Sequence, residues 1–426
     1  MSTKTAIIES NQENLKKQTA AYIAGELSQN DLKHDTAPFG IYPQRDDRFM
    51  TRIRVNGGML PVDKFTAIAD IIEATGADFA HITTRQDIQL HGLDPDKICL
   101  VTELCAEAGL PFQGGGGNTV RNIIVSERSG VNPEDCFDVQ PYANALWDFM
   151  FEYEKGYQLP RKLKIGFAAG EYDSQMVQLQ DLGFIATEKN GTRGFQVYGG
   201  GGMGRESASA VKLIDFIPVE QVIQCTVAMT DLFYDHGNRE NRNQARIRFI
   251  VKKIGAEAFV RLFNEYFTKA VDSSPLCFPD AGEDYHAKVY SGNPEALPGF
   301  ELWKKAAVSP TSVSDNIVSV RFFVPRGNLN PAQINTLASI AECGAAPYFR
   351  LSRSQDLILP EVQVEVLPEI YRILRQDLAE IDLTGESFTG HLVACIGSNT
   401  CKIGILDSPG MADAAAVELD KYFADK

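Results

Sequence analysis

The sequence predicts an α+β fold organised around an internal repeat. Residues 58–90 and 326–358 align with each other, and each stretch carries a helical pattern of apolar residues followed by alternating strand residues. An extended run precedes each stretch, and a further helical pattern follows it. Because the order strand, helix, strand, strand, helix is typical of an open ferredoxin-like layer, we expect a pseudo-twofold repeat of ferredoxin-like half-domains.

The first copy begins with an extended run from Phe49 and continues into a helical pattern. The apolar residues of this pattern recur three and four apart and should form one buried stripe, made of Phe65, Ile68, Ile71 and Ile72. Gly76 ends the pattern, and alternating strand residues follow it. Residues 94–108 then give a second helical pattern.

The second copy repeats this order from an extended run at residues 317–324. In the alignment, Gly344 coincides with Gly76 and Arg353 coincides with Arg85. Two such units could pack as a pseudo-symmetric pair.

Between the two copies lie about two hundred residues rich in glycine and in β-branched residues, for which we expect a mixed α/β domain. A second copy of that domain begins near Glu386 and is incomplete, since only some 40 residues follow. The expected segments are a helical extension over residues 1–45, a first half-domain over 46–112, the first half of the mixed domain over 113–300, a second half-domain over 312–380, and a truncated second mixed half over 385–426.

Composition narrows the classes of function. The formal net charge of −15, from 41 basic and 56 acidic residues, argues against nucleic acid or an anionic membrane as the main partner. The first thirty residues lack the apolar core of a signal peptide, and no stretch approaches the roughly 20 apolar residues of a membrane span. We therefore expect a cytoplasmic protein whose eight cysteines are core residues or metal ligands and form no disulfide framework.

Five basic residues in extended or glycine-rich segments could form an anion-binding floor: Arg52, Arg54, Arg121, Lys162 and Lys164. The two arginines at 52 and 54, like the two lysines, lie two apart in an extended run, so each pair projects from one face of a strand. Arg121 follows a glycine run, where missing side chains allow a flat ligand to approach the backbone. Binding of a carboxylate or oxyanion is one interpretation, and an exposed strand face is the other. The same two interpretations apply to Arg85 and Gln86.

Residues 198–204 formally contain the G-x-G-x-x-G pattern of a dinucleotide-binding loop, after a strand-like stretch. No clear helix begins at Arg205, and the residues that follow run into a proline. A nicotinamide-dependent dehydrogenase therefore remains only as an alternative.

Two pairs of cysteines each enclose five residues. Cys99 and Cys105 lie in a helical stretch, where a separation of six turns the side chains about 240° apart, so we expect core cysteines. Cys395 and Cys401 enclose turn-forming residues at 397–399, which can curl the chain and bring both thiols toward one centre. Half of an iron–sulfur site and a pair of buried thiols are both compatible with that spacing.

Together these motifs resemble those of the siroheme-dependent sulfite and nitrite reductases. The resemblance runs from about Asp46 to the end of the chain, and its most specific elements are RIRVNGG, TTRQDIQLHG, NTVRN, LPRKLKIGF, the GGGGMG run, HGNRENRNQAR and the C-x5-C at Cys395. It implies two ferredoxin-like half-domains and two halves of a domain that holds siroheme and a 4Fe–4S cluster.

The resemblance also implies roles for individual residues. The residues that would hold the substrate oxyanion above the siroheme iron, and supply protons or polarise the anion, are Arg52, Arg121, Lys162 and Lys164. The residues that would contact the carboxylates of siroheme are Arg54, Arg85, Gln86, Asn118 and Asn122. The residues that would form a supporting polar network are Asn238, Arg239 and Arg242.

Cys395 and Cys401 would match the first pair of cluster ligands, whereas a four-iron cluster takes four thiolates. The chain ends 25 residues after Cys401, before the second pair that the family places further on. A truncated copy, a degenerate gene product and a separate polypeptide that supplies the remaining cysteines are the alternatives.

The resemblance implies reduction of sulfite to sulfide or of nitrite to ammonia, with an electron donor protein or reductase subunit as partner. The alternative is a non-catalytic siroheme-binding or assembly subunit that keeps the tetrapyrrole pocket and lacks the cluster.

Overall fold

The computed structural model describes residues 3–204, 206–273, 297–344 and 346–423. The helices in these residues are α1 (Thr3–Ile23), α2 (Gln29–Thr36), α3 (Val62–Thr75), α4 (Ile98–Glu107), α5 (Gln140–Glu152), α6 (Ser174–Gln178), α7 (Val222–His236), α8 (Ile247–Ile254), α9 (Ala256–Ser273), α10 (Phe300–Ala307), α11 (Pro331–Cys343), α12 (Leu367–Gln376), α13 (Gly397–Thr400) and α14 (Ser408–Phe423). None of these described helices has the length and apolar character that crossing a bilayer requires.

The strands are β1 (Tyr42–Pro43), β2 (Phe49–Ile53), β3 (Met59–Pro61), β4 (Phe79–Ile82), β5 (Ile88–Leu93), β6 (Ile124–Val125), β7 (Ile165–Ala168), β8 (Leu182–Lys189), β9 (Thr192–Gly199), β10 (Val211–Pro218), β11 (Val308–Pro310), β12 (Ile317–Phe322), β13 (Asn328–Leu329), β14 (Tyr348–Leu351) and β15 (Leu357–Gln363). Parts of the predicted segments lie outside the described residues, namely 1–2, 205, 274–296, 345 and 424–426, and Cys277 is among them.

The chain divides into two compact units. The first, which we name the middle unit, is formed by Gln113–Glu283 together with Met1–Ile8, and the second, the repeat unit, by Glu9–Phe112 and Asp284–Lys426. Each unit has its own hydrophobic core.

The repeat unit contains two five-stranded sheets that exchange one strand. Their orders are β1-β2-β5-β4-β13 and β11-β12-β15-β14-β3. Strand β3 of the first copy pairs antiparallel with β14 and places Leu60 opposite Phe349. Strand β13 of the second copy pairs with β4 and places Leu329 opposite Ala80. Each half-domain therefore completes the sheet of the other.

Helices α3 and α11 pack against each other in the repeat unit. The buried stripe predicted for α3 is confirmed, since Phe65, Ile68, Ile71 and Ile72 are all at most 3% exposed. Burial of each such side chain stabilises the fold by about 1.5–3 kcal/mol. Gly76, with φ of 68°, ends α3 in the left-handed conformation that glycine adopts without strain.

The alignment of the two copies is one residue out of register. Equivalent strands β4 and β14 begin at Phe79 and Tyr348, and β5 and β15 begin at Ile88 and Leu357, so both pairs lie 269 residues apart. The predicted alignment, which pairs Arg85 with Arg353, spaces them 268 apart and is wrong.

Its physical cause is that the two glycines end their helices differently. Gly76 is left-handed, whereas Gly344, with φ of −74°, is right-handed and corresponds to Thr75. Matching one glycine to the other therefore shifts every later pair, and the structure pairs Gln86 with Gln355.

The middle unit is a mixed sheet covered by helices. Strands β6, β7 and β8 are parallel, β9 and β10 continue antiparallel, and the order is β10-β9-β8-β7-β6. The aromatic rings of Phe167, Phe184 and Phe195 pack together in its core. Because β9 is followed by an antiparallel strand and not by a helix, the glycines at residues 199–204 do not form a dinucleotide-binding βαβ turn.

Candidate functional site

Three of the predicted anion-binding residues share one face of the middle unit. Val120 and Leu163 lie side by side in parallel extended segments, and both are buried. Because side chains alternate along extended segments, Arg121, Lys162 and Lys164 lie together on the opposite face. All three are partly exposed, so this cationic face is accessible to solvent.

Carbonyl groups of the glycine run hold the Arg121 guanidinium. Nη1 of Arg121 donates to the Gly115 oxygen at 3.3 Å, and Nη2 donates to the Gly117 oxygen at 3.0 Å. The Thr119 hydroxyl donates to the Gly116 oxygen at 2.6 Å and fixes the same loop. Carbonyl acceptors orient the guanidinium without neutralising its charge.

Lys164 is positioned through its main chain. Its N–H donates to Asp181 Oδ2 at 2.8 Å. Asp181 is fully buried and is paired with Arg246, whose Nε and Nη2 donate to Oδ1 and Oδ2 at 3.1 Å and 2.6 Å. A bidentate buried pair fixes both partners, so it anchors the segment that carries Lys164. Neither partner was found from the sequence, because neither lies in a motif or an extended basic run.

Asn118 and Asn122 flank Arg121 in the chain. The Asn118 Oδ1 atom is buried and has no hydrogen-bond partner among the described residues. Asn122 is only 1% exposed. A buried amide oxygen without a partner is a group that a ligand's polar atom can satisfy, so this position suits a polar ligand.

In the repeat unit, Arg52 lies on β2 opposite Gln89 of β5. The Gln89 amide, with Oε1 toward the guanidinium, accepts from Arg52 Nε at 3.2 Å and from Nη2 at 2.6 Å. Arg52 Nε also lies 3.9 Å from Asp87 Oδ2. The run RIRVNGG contains no carboxylate, and the structure supplies one from the neighbouring hairpin.

The other candidates of the repeat unit differ in burial and in partners. Arg54 is buried, at 5% exposed. Arg85 is half-buried in a turn, where its N–H donates to the Thr83 hydroxyl at 3.2 Å. Gln86 is fully buried, and its Nε2 donates to the Leu351 oxygen at 2.9 Å. The Gln86 amide therefore bonds to the second copy of the repeat, where the sequence predicted a cofactor contact.

The second copy contains a counterpart of Arg52 that the sequence reading missed. Arg321 Nη1 donates to Asp356 Oδ2 at 2.8 Å and to Ser354 Oγ at 2.9 Å. Asp356 corresponds to Asp87 in the correct register of the repeat. That register is the signal that would have identified Arg321.

The segment predicted as a supporting network is held mainly by local bonds. Asn238 Oδ1 accepts from the main-chain N–H groups two and three residues further on, at 2.9 Å and 2.8 Å. Arg239 Nη2 donates to the carbonyl oxygens of Gln158 and Tyr234 at 3.1 Å and 3.2 Å, and its guanidinium lies over the Tyr234 ring. Arg242 is exposed. All three belong to the middle unit.

Cys395 and Cys401 flank the short helix α13 in the repeat unit. Cys395 is exposed and its thiol donates to Ser408 Oγ at 3.3 Å, while Cys401 is half-buried. Within the ranges that the structure describes, no three His, Cys, Asp or Glu side chains are placed to hold a metal ion. By contrast, Cys105 of α4 is buried, and burial raises its pKa to about 12, as expected of a core thiol.

Two sequence-family models match the chain. "Nitrite and sulphite reductase 4Fe-4S domain" matches residues 116–271, and "Nitrite/Sulfite reductase ferredoxin-like half domain" matches residues 42–108 and 313–377. Together they cover more than half of the chain, and the two half-domain matches fall on the two copies of the repeat. The predicted pair of ferredoxin-like half-domains is thereby confirmed.

Curated relatives include reductases of both anions. The ferredoxin–nitrite reductase of Synechococcus elongatus is 28% identical over 411 residues, covering 92% of this chain and 74% of the relative. The chloroplastic ferredoxin–nitrite reductase of Spinacia oleracea is 25% identical over 384 residues, covering 88% and 61%. The sulfite reductase (NADPH) hemoprotein beta-component of Acidithiobacillus ferrooxidans is 24% identical over 396 residues, covering 85% and 66%. The chain thus spans between 61% and 74% of the length of these relatives.

A solved structure with the same fold is that of the Mycobacterium tuberculosis NirA protein. It superposes with a TM-score of 0.78 at 20% identity and covers 97% of this chain and 78% of that chain. At this identity the likeness concerns the fold.

Proposed function

Because this chain belongs to the siroheme-dependent nitrite and sulfite reductase family, whose members are oxidoreductases that use siroheme and a 4Fe–4S cluster, we propose that it reduces sulfite to sulfide or nitrite to ammonia. The observation that carries this proposal is the cationic face of Arg121, Lys162 and Lys164 on a chain of net charge −15. An acidic protein that binds a small anion needs such a local basic cluster.

We assign the substrate oxyanion to Arg121, Lys162 and Lys164, with Arg52 of the repeat unit as the fourth cation. Both reductions consume protons as well as electrons. A guanidinium does not release its proton in proteins, whereas an ammonium group can, so the two lysines are the proton donors and the two arginines bind and polarise the anion.

Siroheme, when bound, would supply an iron that takes the lone pair of either anion. Its many carboxylates would be met by the cofactor-binding set, which is Arg54, Arg85, Gln86, Asn118, Asn122, Asn238, Arg239 and Arg242. The buried Asn118 oxygen and the burial of Arg54 fit a polar ligand held away from water. Gln86 would contribute through the turn that it anchors.

The described residues do not fit a complete 4Fe–4S cluster, because Cys395 and Cys401 supply two thiolates where four are needed. We propose that the other two come from outside the described residues, on a separate polypeptide. Ile403 and Ile405, next to Cys401, are 88% and 92% exposed, and large apolar side chains in that position suit an interface with another segment. An electron donor protein or reductase subunit is the further partner.

The test is to express the chain in siroheme-producing cells and to titrate the purified protein with nitrite and sulfite, following siroheme absorption. We expect a coloured protein whose affinity for both anions falls about tenfold or more in Arg121→Met, Lys162→Met and Lys164→Met, since each change removes one charge-assisted hydrogen bond. Lys253→Met, which removes an exposed lysine from α8, is the matched control and should behave as the wild type. Colourless protein, or an unchanged affinity in all three variants, would refute the proposal.

A non-catalytic siroheme-binding or assembly subunit is the second candidate. The presence of only two closely spaced cysteines among the described residues favours it. Siroheme absorption without an iron–sulfur electron paramagnetic resonance signal, even beside a polypeptide that supplies paired cysteines, would select this function over reduction.

We also propose that the protein works in the cytoplasm. All seven cysteines within the described ranges are free thiols, as is usual in a reducing compartment.

A further inference from the structure

A buried polar chain in the repeat unit begins at Arg52 and continues through Gln89, His91 and Gln44. The Gln89 amide accepts from Arg52 when Oε1 faces the guanidinium, and in its other orientation it accepts from His91 Nε2 at 3.3 Å. His91 Nδ1 lies 2.9 Å from Gln44 Nε2, and Gln44 Oε1 accepts from the Gly92 N–H at 2.9 Å. Gln44, Gln89 and His91 are all buried.

Both ends of this chain can only donate hydrogen bonds. A guanidinium and a main-chain N–H have no acceptor, whereas a carboxamide or a neutral imidazole accepts on one side and donates on the other. Burial lowers the pKa of His91 well below its ordinary value, which keeps the imidazole neutral.

Counting from the Gly92 N–H, Gln44 accepts and then donates to His91, and His91 accepts and then donates to Gln89. Gln89 is left presenting its NH₂ group to Arg52, which also only donates. Turning the Gln89 amide moves this conflict along the chain without removing it. While Arg52 faces inward, one contact in the chain therefore sets a donor against a donor.

The second copy of the repeat has no such conflict at the equivalent arginine. Arg321 lies opposite Ile358, where the first copy has Gln89, and Arg321 Nη1 donates directly to Asp356 at 2.8 Å. In the first copy the corresponding ion pair between Arg52 and Asp87 measures 3.9 Å. The chain of amides thus replaces a close ion pair only at the arginine that we assign to the substrate.

We propose that Gln89 is a positioning residue that holds Arg52 inward and releases it to an oxyanion. This role rests on the proposed function, in which Arg52 binds sulfite or nitrite. When Arg52 turns its N–H groups to the anion, Gln89 turns Oε1 to His91 Nε2, and every contact from Gly92 to Gln89 is satisfied. Anion binding therefore depends on Gln44, although Gln44 does not contact Arg52.

Titration calorimetry with sulfite on the siroheme-loaded chain tests this role. In Gln44→Glu the carboxylate accepts from both Gly92 and His91, so His91 can accept from Gln89 while Gln89 accepts from Arg52, and Arg52 stays inward. We expect Gln44→Glu to weaken sulfite binding about tenfold, the scale of one hydrogen bond to a charged group. Gln89→Leu should bind within about threefold of the wild type, and adding Gln44→Glu to it should change nothing further.

Each other result has a defined meaning. A Gln44→Glu effect that persists beside Gln89→Leu acts through space and overturns the role of Gln89. A loss of about tenfold in Gln89→Leu alone marks a simple anchor and also overturns it, whether or not Gln44→Glu folds. Ile358→Gln, the matched change opposite Arg321, should leave sulfite affinity unaltered.

Arg52→Met separates this inference from the proposed function. If Arg52→Met weakens sulfite binding but the Gln44 and Gln89 variants do not behave as described, only the role of Gln89 fails. If Arg52→Met has no effect, the anion-binding assignment of Arg52 fails, and the role of Gln89 fails with it.

Discussion

The side-chain amide of Gln86 donates to the main-chain oxygen of Leu351 at 2.9 Å, although the two residues lie in different copies of the repeat. Its counterpart Gln355 donates to the main-chain oxygen of Ile82 at 3.0 Å and accepts from the Ala394 N–H at 3.0 Å. Both glutamines are buried and both have positive φ, 56° and 70°. Reciprocal hydrogen bonds thus join the two half-domains.

Replacing Gln86 with alanine should lower the free energy of unfolding by about 1–3 kcal/mol, because the buried Leu351 carbonyl loses a donor. Gln355→Ala should cost at least as much, since two bonds are lost. Urea unfolding measures both, with Gln175→Ala, an exposed change in α6, as the control expected within about 0.5 kcal/mol of the wild type. Equal stability of Gln86→Ala and the control would show that the bond does not join the half-domains.

Gly58 lies where the two copies approach most closely. A Cβ added to Gly58 would come within 2.7 Å of the Leu351 oxygen, and its φ of 72° is left-handed. Gly58→Ala should therefore suffer backbone strain of about 1–2 kcal/mol and a steric penalty of about 1–3 kcal/mol. Gly76→Ala has a similar φ and open space around the new Cβ, so it should show the strain alone. If both variants melt at the same temperature, the close approach has no energetic weight.

The buried pair of Arg246 and Asp181 supports both the fold and the cationic face. Arg246→Met should destabilise the protein by about 3–5 kcal/mol, since it leaves the Asp181 carboxylate buried without its cation. Anion affinity should fall as well, because Asp181 also accepts from the Lys164 N–H. Lys212→Met breaks an exposed pair with Asp215 and should cost less than about 0.5 kcal/mol in urea unfolding. A stable Arg246→Met protein with normal anion binding contradicts this account.

Stability should fall on mild acidification because two histidines are buried. Burial lowers the pKa of His81 and of His91 below the ordinary value of 6.5. Below that pH the unfolded chain binds more protons than the folded chain, so the stability present above pH 6.5 is lost as the pH falls through it. Each histidine contributes a slope of up to about 1.4 kcal/mol per pH unit.

His91→Gln should flatten this loss in urea unfolding measured between about pH 7.5 and pH 5.5, where ordinary histidines titrate. His34→Gln, in which an exposed ring is replaced, is the control and should keep the wild-type slope. A His91→Gln slope identical to that of the wild type would mean that His91 takes up its proton in the folded protein.

The repeat and the buried face of α3 were predictable because hydrophobic periodicity is a local signal. The strand exchange was not, because β3 and β14 pair across almost three hundred residues and neither carries a mark of its partner. The register failed at Gly344, whose identity matches Gly76 but whose backbone conformation does not.

The cationic face followed from alternation at Lys162 and Lys164, which needs only an extended backbone. The carboxylates that organise it did not. Asp87 reaches Arg52 from a neighbouring hairpin and Asp181 reaches Lys164 from the start of β8, so tertiary contacts bring each pair together.

Strand exchange also affects how the chain folds during its synthesis. Residue 60 must wait for residue 349 to leave the ribosome, a delay of roughly 15–60 seconds at ordinary translation rates of about 5–20 residues per second. Until then the nascent first half-domain exposes an unpaired edge at β4, the kind of edge that recruits other strands. Newly made chains are therefore most prone to misassembly before translation ends.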